Sequence, residues 1–257
     1  MKLRELLTQL QEVQSKIGAS QPYICGGTPR DRYLGHLENI SDLDITTGDK
    51  SVDYLSQEFA IVLRKEYNVT RKTMDDGHST LFVGNLKMDF SSNFNVPSID
   101  TILKNIGITH PTEMQKEMYS RDFTCNALLL SLDLRELTDP TNKGFKDIKD
   151  RTIRTCLAPE ITLTSNRNRV ARAIYLATKL DFDVDKSIIN YVSKHPETIK
   201  ISTEKSLNEK LGEAFSRDAD RASDLITKMN LWDQIPISQA MQPYYMKHVK
   251  GKVNAPK

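Results

Sequence analysis

Tyr23-Ile24-Cys25-Gly26-Gly27-Thr28-Pro29-Arg30-Asp31, followed by Asp42-Leu43-Asp44-Ile45-Thr46, is the stretch on which the reading of this chain turns. Tyr23-Ile24-Cys25 reads as a short strand that enters a Gly-Gly turn. Arg30 to Leu34 then gives one or two helical turns, and Leu43-Asp44-Ile45-Thr46 a second strand. On a strand, residues at i and i+2 share a face, so Asp42 and Asp44 point the same way. Leu86-Lys87-Met88-Asp89-Phe90 offers a third acid between apolar residues. Carboxylate oxygens suit a hard cation such as Mg²⁺. A Gly-Gly turn lets backbone N–H groups approach phosphates closely. Taken alone, Asp-x-Asp is common by chance and describes a solvated strand edge. Three acids on strands beside a Gly-Gly turn favour phosphoryl-transfer chemistry.

Outward from this centre, the first part of the chain reads as α/β. Leu3, Leu6, Leu7, Leu10, Val13 and Ile17 follow helical spacing, and Gly18 stops the helix. Ser51 caps a helix running to about Glu58. Tyr67 to Arg71, Thr80 to Gly84 and Leu86 to Phe90 read as strands, the last two joined by a Gly84-Asn85 turn. Ile99, Ile102, Leu103 and Ile106 share a helical face. The dense apolar run from Phe123 to Leu132 predicts a buried helix. Leu137-Thr138-Asp139-Pro140 ends a short strand, and Asn142-Lys143-Gly144 makes a turn. After Arg154 only helices are expected, over about 166–180, 185–194, 204–216 and 218–229, with a poorly ordered tail after Pro243. The expected domains are therefore 1–150, carrying a small sheet, and 151–257, all helical.

Composition narrows the class. The chain has 257 residues, 38% hydrophobic and 27% charged, which suits a globular protein and lets it bury a core. No apolar run is long enough to span a bilayer, and Met1-Lys2-Leu3-Arg4-Glu5 lacks the apolar core of a signal peptide. Cys25, Cys125 and Cys156 are too far apart for a paired metal motif, so free buried thiols in the cytoplasm are expected. The net charge of +2 balances 36 basic against 34 acidic residues, so bulk charge does not argue for nucleic acid. Basic residues do cluster locally, at Arg151, Arg154, Arg167, Arg169 and Arg172, and again at Lys247, His248, Lys250, Lys252 and Lys257. Tyr244 and Tyr245 would add stacking surface for RNA to the second cluster, with an unstructured basic tail as the plain alternative. The five His show no ligand spacing, and His78 falls in a loop before a strand.

Gly26-Gly27-x-x-Arg30-Asp31 followed by Asp42-x-Asp44 resembles the first motif of the class II nucleotidyltransferases. These are the tRNA CCA-adding enzymes and bacterial-type poly(A) polymerases of the polymerase β superfamily. Ser120-Arg121-Asp122-Phe123-Thr124-Cys125-Asn126-Ala127-Leu128 resembles their Arg-Arg-Asp-Phe-Thr-x-Asn-Ala-Leu block. Leu137-Thr138-Asp139-Pro140 through Arg154 resembles the segment leading into their neck, and Arg169, Arg172-Ala173 and Lys179 to Asp185 resemble the neck helix. The four blocks stand in order over about residues 23–185. The resemblance implies an α+β nucleotidyltransferase head with a small mixed sheet, followed by an all-α neck and body. It implies Mg²⁺ held by Asp42 and Asp44, with Asp89, usually Glu in the family, as ligand or general base. Gly26, Gly27 and Arg30 would hold the triphosphate, and Arg121, Asp122 and Asn126 the ribose and phosphates. Asn166, Arg169 and Arg172 would serve the base and nucleotide. The implied activity is template-independent addition of CTP and ATP to an RNA 3′-OH, most naturally a tRNA end.

The chain also departs from the family pattern. Ser120 stands where the family has Arg, and Tyr175-Leu176 where it has Arg-Phe. The base-selecting Glu-Asp-x-x-Arg reads Ser165-Asn166-Arg167-Asn168-Arg169. Asn166 keeps a carbonyl acceptor for cytosine N4 or adenine N6, and Arg169 keeps its donors. Glu204 and Lys205 fit structural contacts of the neck, unless Ser202 or Thr203 merely caps a helix. Poly(A) synthesis from ATP alone remains the alternative activity. Ser120, Ser165 and Asn166 motivate a third reading, a non-catalytic RNA- or nucleotide-binding relative. The short stretch after Asp185 leaves the grip on RNA reduced, or supplied by a homo-oligomer or another partner.

Overall fold

A computed structural model describes residues 2–36, 40–75, 77–92, 94–166 and 168–253, with side chains to 249. Arg167 and residues 254–257, which include Lys257, lie outside the described residues, and so do the side chains of Lys250 and Lys252. The chain divides into two compact units, Met1–Lys146 and Asp147–Lys257. No helix among the described residues is long and apolar enough to cross a membrane.

The first unit opens with α1 (Leu3–Ile17), closed by Gly18 in the left-handed conformation (φ 68°). Then come β1 (Tyr23–Cys25), α2 (Gly27–Tyr33), β2 (Asp42–Thr46), α3 (Ser51–Leu63), β3 (Val69–Thr73), β4 (Ser79–Val83) and β5 (Leu86–Phe90). Helices α4 (Ile99–Asn105) and α5 (Glu113–Ser120) precede β6 (Leu129–Leu130), β7 (Leu137–Thr138) and α6 (Gly144–Lys149). The strands form one mixed seven-stranded sheet in the order β3-β4-β5-β2-β1-β6-β7. Only β2 and β5 run parallel; the other neighbours are antiparallel.

Strand alternation sorts the two faces of this sheet. Ile24, Leu43, Ile45, Leu81, Met88 and Phe90 join one fully buried core with Leu6, Leu7 and Leu10 of α1 and Leu55 and Phe59 of α3. The residues between them, Cys25, Asp42, Asp44, Lys87 and Asp89, take the opposite face.

Several local expectations are corrected. The Phe123–Leu132 run is not a helix: it forms a 3₁₀ turn at Thr124–Asn126 and then β6, which pairs with β1 and β7. Short apolar runs are buried in either state, so periodicity alone does not separate them. Asn142-Lys143-Gly144 is more than a turn, because Gly144 starts α6; a Cβ there would stand 2.6 Å from the Thr124 carbonyl oxygen. α2 begins three residues before Arg30, and α3 continues to Leu63. Ser51 does not cap α3. Lys50 holds the N-cap position with no side-chain bond, and Asp49, one residue earlier, accepts from the Ser51 N–H (2.9 Å) and hydroxyl (2.6 Å).

The second unit is mostly helical: α7 (Pro159–Ser165), α8 (Arg169–Leu180), α9 (Lys186–Lys194), α10 (Glu204–Arg217), α11 (Ala219–Lys228) and α12 (Gln242–Val253). It is not purely helical after Arg154, because β8 (Thr152–Ile153) and β9 (Asp183–Val184) form a parallel pair. Arg154 fixes that pair by bridging Asp147 (3.0 Å) and Asp185 (2.7 Å). Thr203, not Ser202, caps α10 by accepting from Ser206 N–H. Of the segment after Pro243, expected to be poorly ordered, the described residues to Val253 are part of α12; Tyr245 and His248 meet Trp232, and Tyr244 meets Phe215 edge-on. Those aromatic contacts supply what the sequence of the helix does not. Cys25, Cys125 and Cys156 are buried and in no disulfide, as expected.

Asp49 also accepts from Ser20 (2.5 Å) and Thr47 (3.1 Å). Burial works against its charge, but these bonds prevail and hold the carboxyl below its ordinary range. A lowered folded pKa gives stability that is full above the unfolded value, about 3.9, and is lost as pH falls through the folded value. Asp49→Ala is therefore expected to cost about 1 kcal/mol at pH 7, the order of a net hydrogen bond. In urea melts, the gap between wild type and variant should narrow once pH drops below about 4.

Candidate active site

Parallel pairing of β2 with β5 sets Asp42 against Lys87 and Asp44 against Asp89. Alternation puts Asp42 beside Asp44 and Lys87 beside Asp89 on one face. Like charges directly opposite each other are unfavourable, and neighbouring groups answer them. The Lys87 ammonium reaches Asp42 (3.4 Å) and also binds Asp89, and the Thr80 hydroxyl donates to Asp89 (2.6 Å). Burial opposes the Lys87 charge, but Asp89 and Asp42 together raise its pKa. Burial above all, with repulsion from Asp42 and Asp89, pushes the Asp44 carboxyl above its ordinary range, against the pull of Arg121 and Lys87.

On the other side of Asp44 lies β1, whose Cys25 pairs with it. The strand ends at Gly26, with φ 76° and ψ −132°, a conformation that favours glycine. A Cβ at Gly26 would stand 2.2 Å from Asp44 Oδ2, so the turn and the carboxylate share one space. Arg121 follows α5 and donates to Cys25 Sγ (2.8 Å) and Glu117 Oε1 (3.2 Å). Buried Glu117 also accepts from Thr46 (2.8 Å), which fastens α5 to β2 two residues beyond Asp44. Burial drives the Cys25 thiol pKa well up, so it stays protonated.

Arg30 is 2% exposed and its guanidinium is already engaged. It donates to Asn126 Oδ1 (2.5 Å) and pairs with Asp31 (2.7 Å). Asn126 in turn donates to Asp122 (3.4 Å), which accepts from the Phe123 N–H (2.8 Å). A Cβ at Gly27 would stand 3.1 Å from Arg30 Nη2, so the Gly-Gly turn lies on this network. Buried Ser120, standing where the family has Arg, accepts from Val96 N–H (2.9 Å) and donates to the Lys116 carbonyl (2.7 Å).

The expected site residues thus fall into three sets. Asp42, Asp44, Asp89, Gly26 and Arg121 converge on one face of the sheet. Gly27, with the buried Arg30, Asn126 and Asp122, forms the support beside it. Asn166, Arg169 and Arg172 belong to the second unit. Asn166 is exposed at the end of α7. Arg169 is 8% exposed and donates to the Thr162 carbonyl and Ser165 hydroxyl, both at 2.9 Å, so it closes α7. Tyr175, in place of the family Arg, has Lys179, Lys210 and Arg217 within 6 Å of its ring.

Lys87, Thr80 and Glu117 were absent from the expected set. Lys87 at i−2 from Asp89 and Glu117 at i−4 from Arg121 carried readable spacing signals; Thr80 needed the strand register. Among the described residues, no group of three or more His, Cys, Asp or Glu is placed to hold a metal ion. Asp42 and Asp44 stand on the same face, and Lys87 between Asp42 and Asp89 shows that the face accepts positive charge.

Residues 22–154, just over half of the chain, match the family described as Poly A polymerase head domain. The chain is 23% identical to a tRNA nucleotidyltransferase of Schizosaccharomyces pombe over 93% of its own length and 54% of that protein. It is 26% identical to the CCA-adding enzyme of Bacillus subtilis, over 84% and 52% respectively. The solved Thermotoga maritima CCA-adding enzyme, complexed with tRNA, superposes with a TM-score of 0.68 at 19% identity, over 98% of this chain and 57% of that one. At that identity the likeness speaks for the fold. The chain spans about half the length of the curated relatives it matches.

Gly26→Ala is expected to cost at least about 1–3 kcal/mol, because the methyl group must displace either the turn or Asp44. Chemical denaturation reads this directly. A loss no larger than that of a surface Gly35→Ala control would contradict the shared-space assignment.

Proposed function

This chain belongs to the Poly A polymerase head domain family, and on that premise we propose that it adds ribonucleotides to an RNA 3′-OH without a template, acting on tRNA 3′ ends with CTP and ATP. The observation that supports this best is the register that sets Asp44 against Asp89, with Asp42 on the same face and the Gly26 turn pressed on Asp44. In the reaction the acceptor 3′ oxygen bonds to the α-phosphorus, and the bond from that phosphorus to the bridging oxygen of pyrophosphate breaks.

The proposed division of labour follows the three sets. Residues 1–150 form the catalytic head and 151–257 a helical neck and body. Asp42 and Asp44 hold the divalent ion, taken as Mg²⁺. Such an ion supplies charge neutralisation at the phosphates and a more acidic 3′-OH when bound. Asp89, oriented by Thr80 and Lys87, accepts the hydrogen bond of the 3′-OH. Gly26 and Gly27 present backbone N–H groups to the triphosphate. Arg121 counters its charge, while Arg30, Asn126 and Asp122 stiffen the turn and the ribose side. Asn166 offers its carbonyl to the exocyclic amine of C or A, and Arg169 and Arg172 order that region. The buried thiols, in no disulfide, are consistent with a reducing compartment such as the cytoplasm.

A second reading is transfer from ATP alone, the activity that the family's description names; Asn166 does not choose between the two, because an amide both donates and accepts. The test uses purified protein, Mg²⁺, labelled tRNA lacking its 3′ end, and each NTP separately. C followed by A is the expected product. A long A ladder supports the ATP-only reading. No incorporation on tRNA or on an oligoadenylate primer leaves only the non-catalytic relative.

Asp42→Ala and Asp44→Ala are each expected to reduce transfer by at least about 100-fold while the thermal midpoint is retained. Full activity in both variants removes the metal-seat assignment. Asn166→Asp makes the position acceptor-only. It should sharpen discrimination for CTP and ATP over UTP and GTP by about tenfold in kcat/KM.

A further inference from the structure

Transfer between two nucleosides needs a seat for each, on opposite sides of the reacting phosphorus. The strand order provides two flanks. On the β1 side of Asp44 stand Gly26 and Arg121. On the other side, across β5 and β4, a cleft of about 420 Å³ is lined by Asp44, Asp89, Lys87, Thr80, His78 and Met74, among others.

One ring, that of His78, lines this cleft. His78, just ahead of β4, stacks on Phe94 with ring centroids 3.9 Å apart and planes within 12°. Met74 is 51% and Phe94 39% exposed. Large apolar side chains left open beside a cluster of carboxylates add little to folding and are informative for that reason. A ring in the same cleft as two carboxylates matches a nucleoside, with a π-face at one end and hydroxyls at the other.

We propose that this cleft seats the 3′-terminal nucleoside of the acceptor RNA, its base against His78 and Met74 with Phe94 bracing the imidazole, and its 3′-OH toward Asp89. The inference rests on the nucleotidyl-transfer reading above. Stacking on a ring tolerates every base, because each has a π-face. That suits an acceptor whose terminal base changes with each addition. The opposite flank is left to the incoming nucleotide.

The test has two arms. In the binding arm, a short RNA ending in 2-aminopurine is titrated with protein in the absence of NTP. Stacking quenches its fluorescence, and His78→Ala is expected to abolish the quench. In the kinetic arm, His78→Ala is expected to raise KM for the acceptor RNA about tenfold and to leave KM for ATP or CTP within about twofold. His78→Phe should restore both readouts, since it keeps the ring and loses the titratable nitrogens. Should His78→Ala fail to fold by circular dichroism, Met74→Ala at its exposed position replaces it, with the same expectations. Equal changes in both KM values, no change in either, or no rescue by His78→Phe overturns the assignment. A wild type that transfers no nucleotide sinks the function reading instead, and the quenching arm then decides the cleft by itself.

Discussion

Two carboxylates face each other across the one parallel strand pair of an otherwise antiparallel sheet, and most of the first unit accommodates that fact. Asp44 and Asp89 are directly opposite, and the pairing is unfavourable unless cations stand near. Lys87 and Arg121 supply them from the two flanks. Each is held in turn: Lys87 by its place on the same strand as Asp89, Arg121 by Glu117 and Cys25. Glu117 then reaches Thr46 and locks α5 to the strand that carries the acids. The Gly26 turn closes over Asp44 because nothing larger than hydrogen fits. The acid pair, its counter-charges and the turn are one mechanical unit.

Much of this was legible in the sequence, for identifiable reasons. Alternation in Asp42–Thr46 and Leu86–Phe90 gave both strands and the face of each acid, because a half-buried strand has only one way to sort such a pattern. The helix over Leu3–Ile17 was equally plain, with its spacing and glycine stop. The run after Arg121 was not. A mostly buried run of this length can serve as helix or strand, and only pairing with β1 and β7 decides. The two-residue strand β9 was hidden between helices, since its partner lies 31 residues upstream in the Thr152↔Asp183 register. α12 depends on distant Trp232 and Phe215, which no local pattern reports.

The fate of individual polar residues was less legible than their presence. Arg30 and Arg169 were both expected at the nucleotide, and both are buried with hydrogen bonds to the protein. A motif records that a guanidinium is needed; it does not record what the guanidinium touches. Arg30 ties α2 to the 3₁₀ turn through Asn126, while Arg169 ties the start of α8 to the end of α7. Removing either would move the backbone that frames a site as well as any direct contact, so their substitution is a poor probe of ligand binding alone. Asp42, 63% exposed at its side chain, is a cleaner one.

Lys87 has a further consequence. An acidic face that carries its own ammonium has part of its charge answered from within the fold. A cation drawn from solution to this face would have to displace a tethered charge whose local concentration never falls.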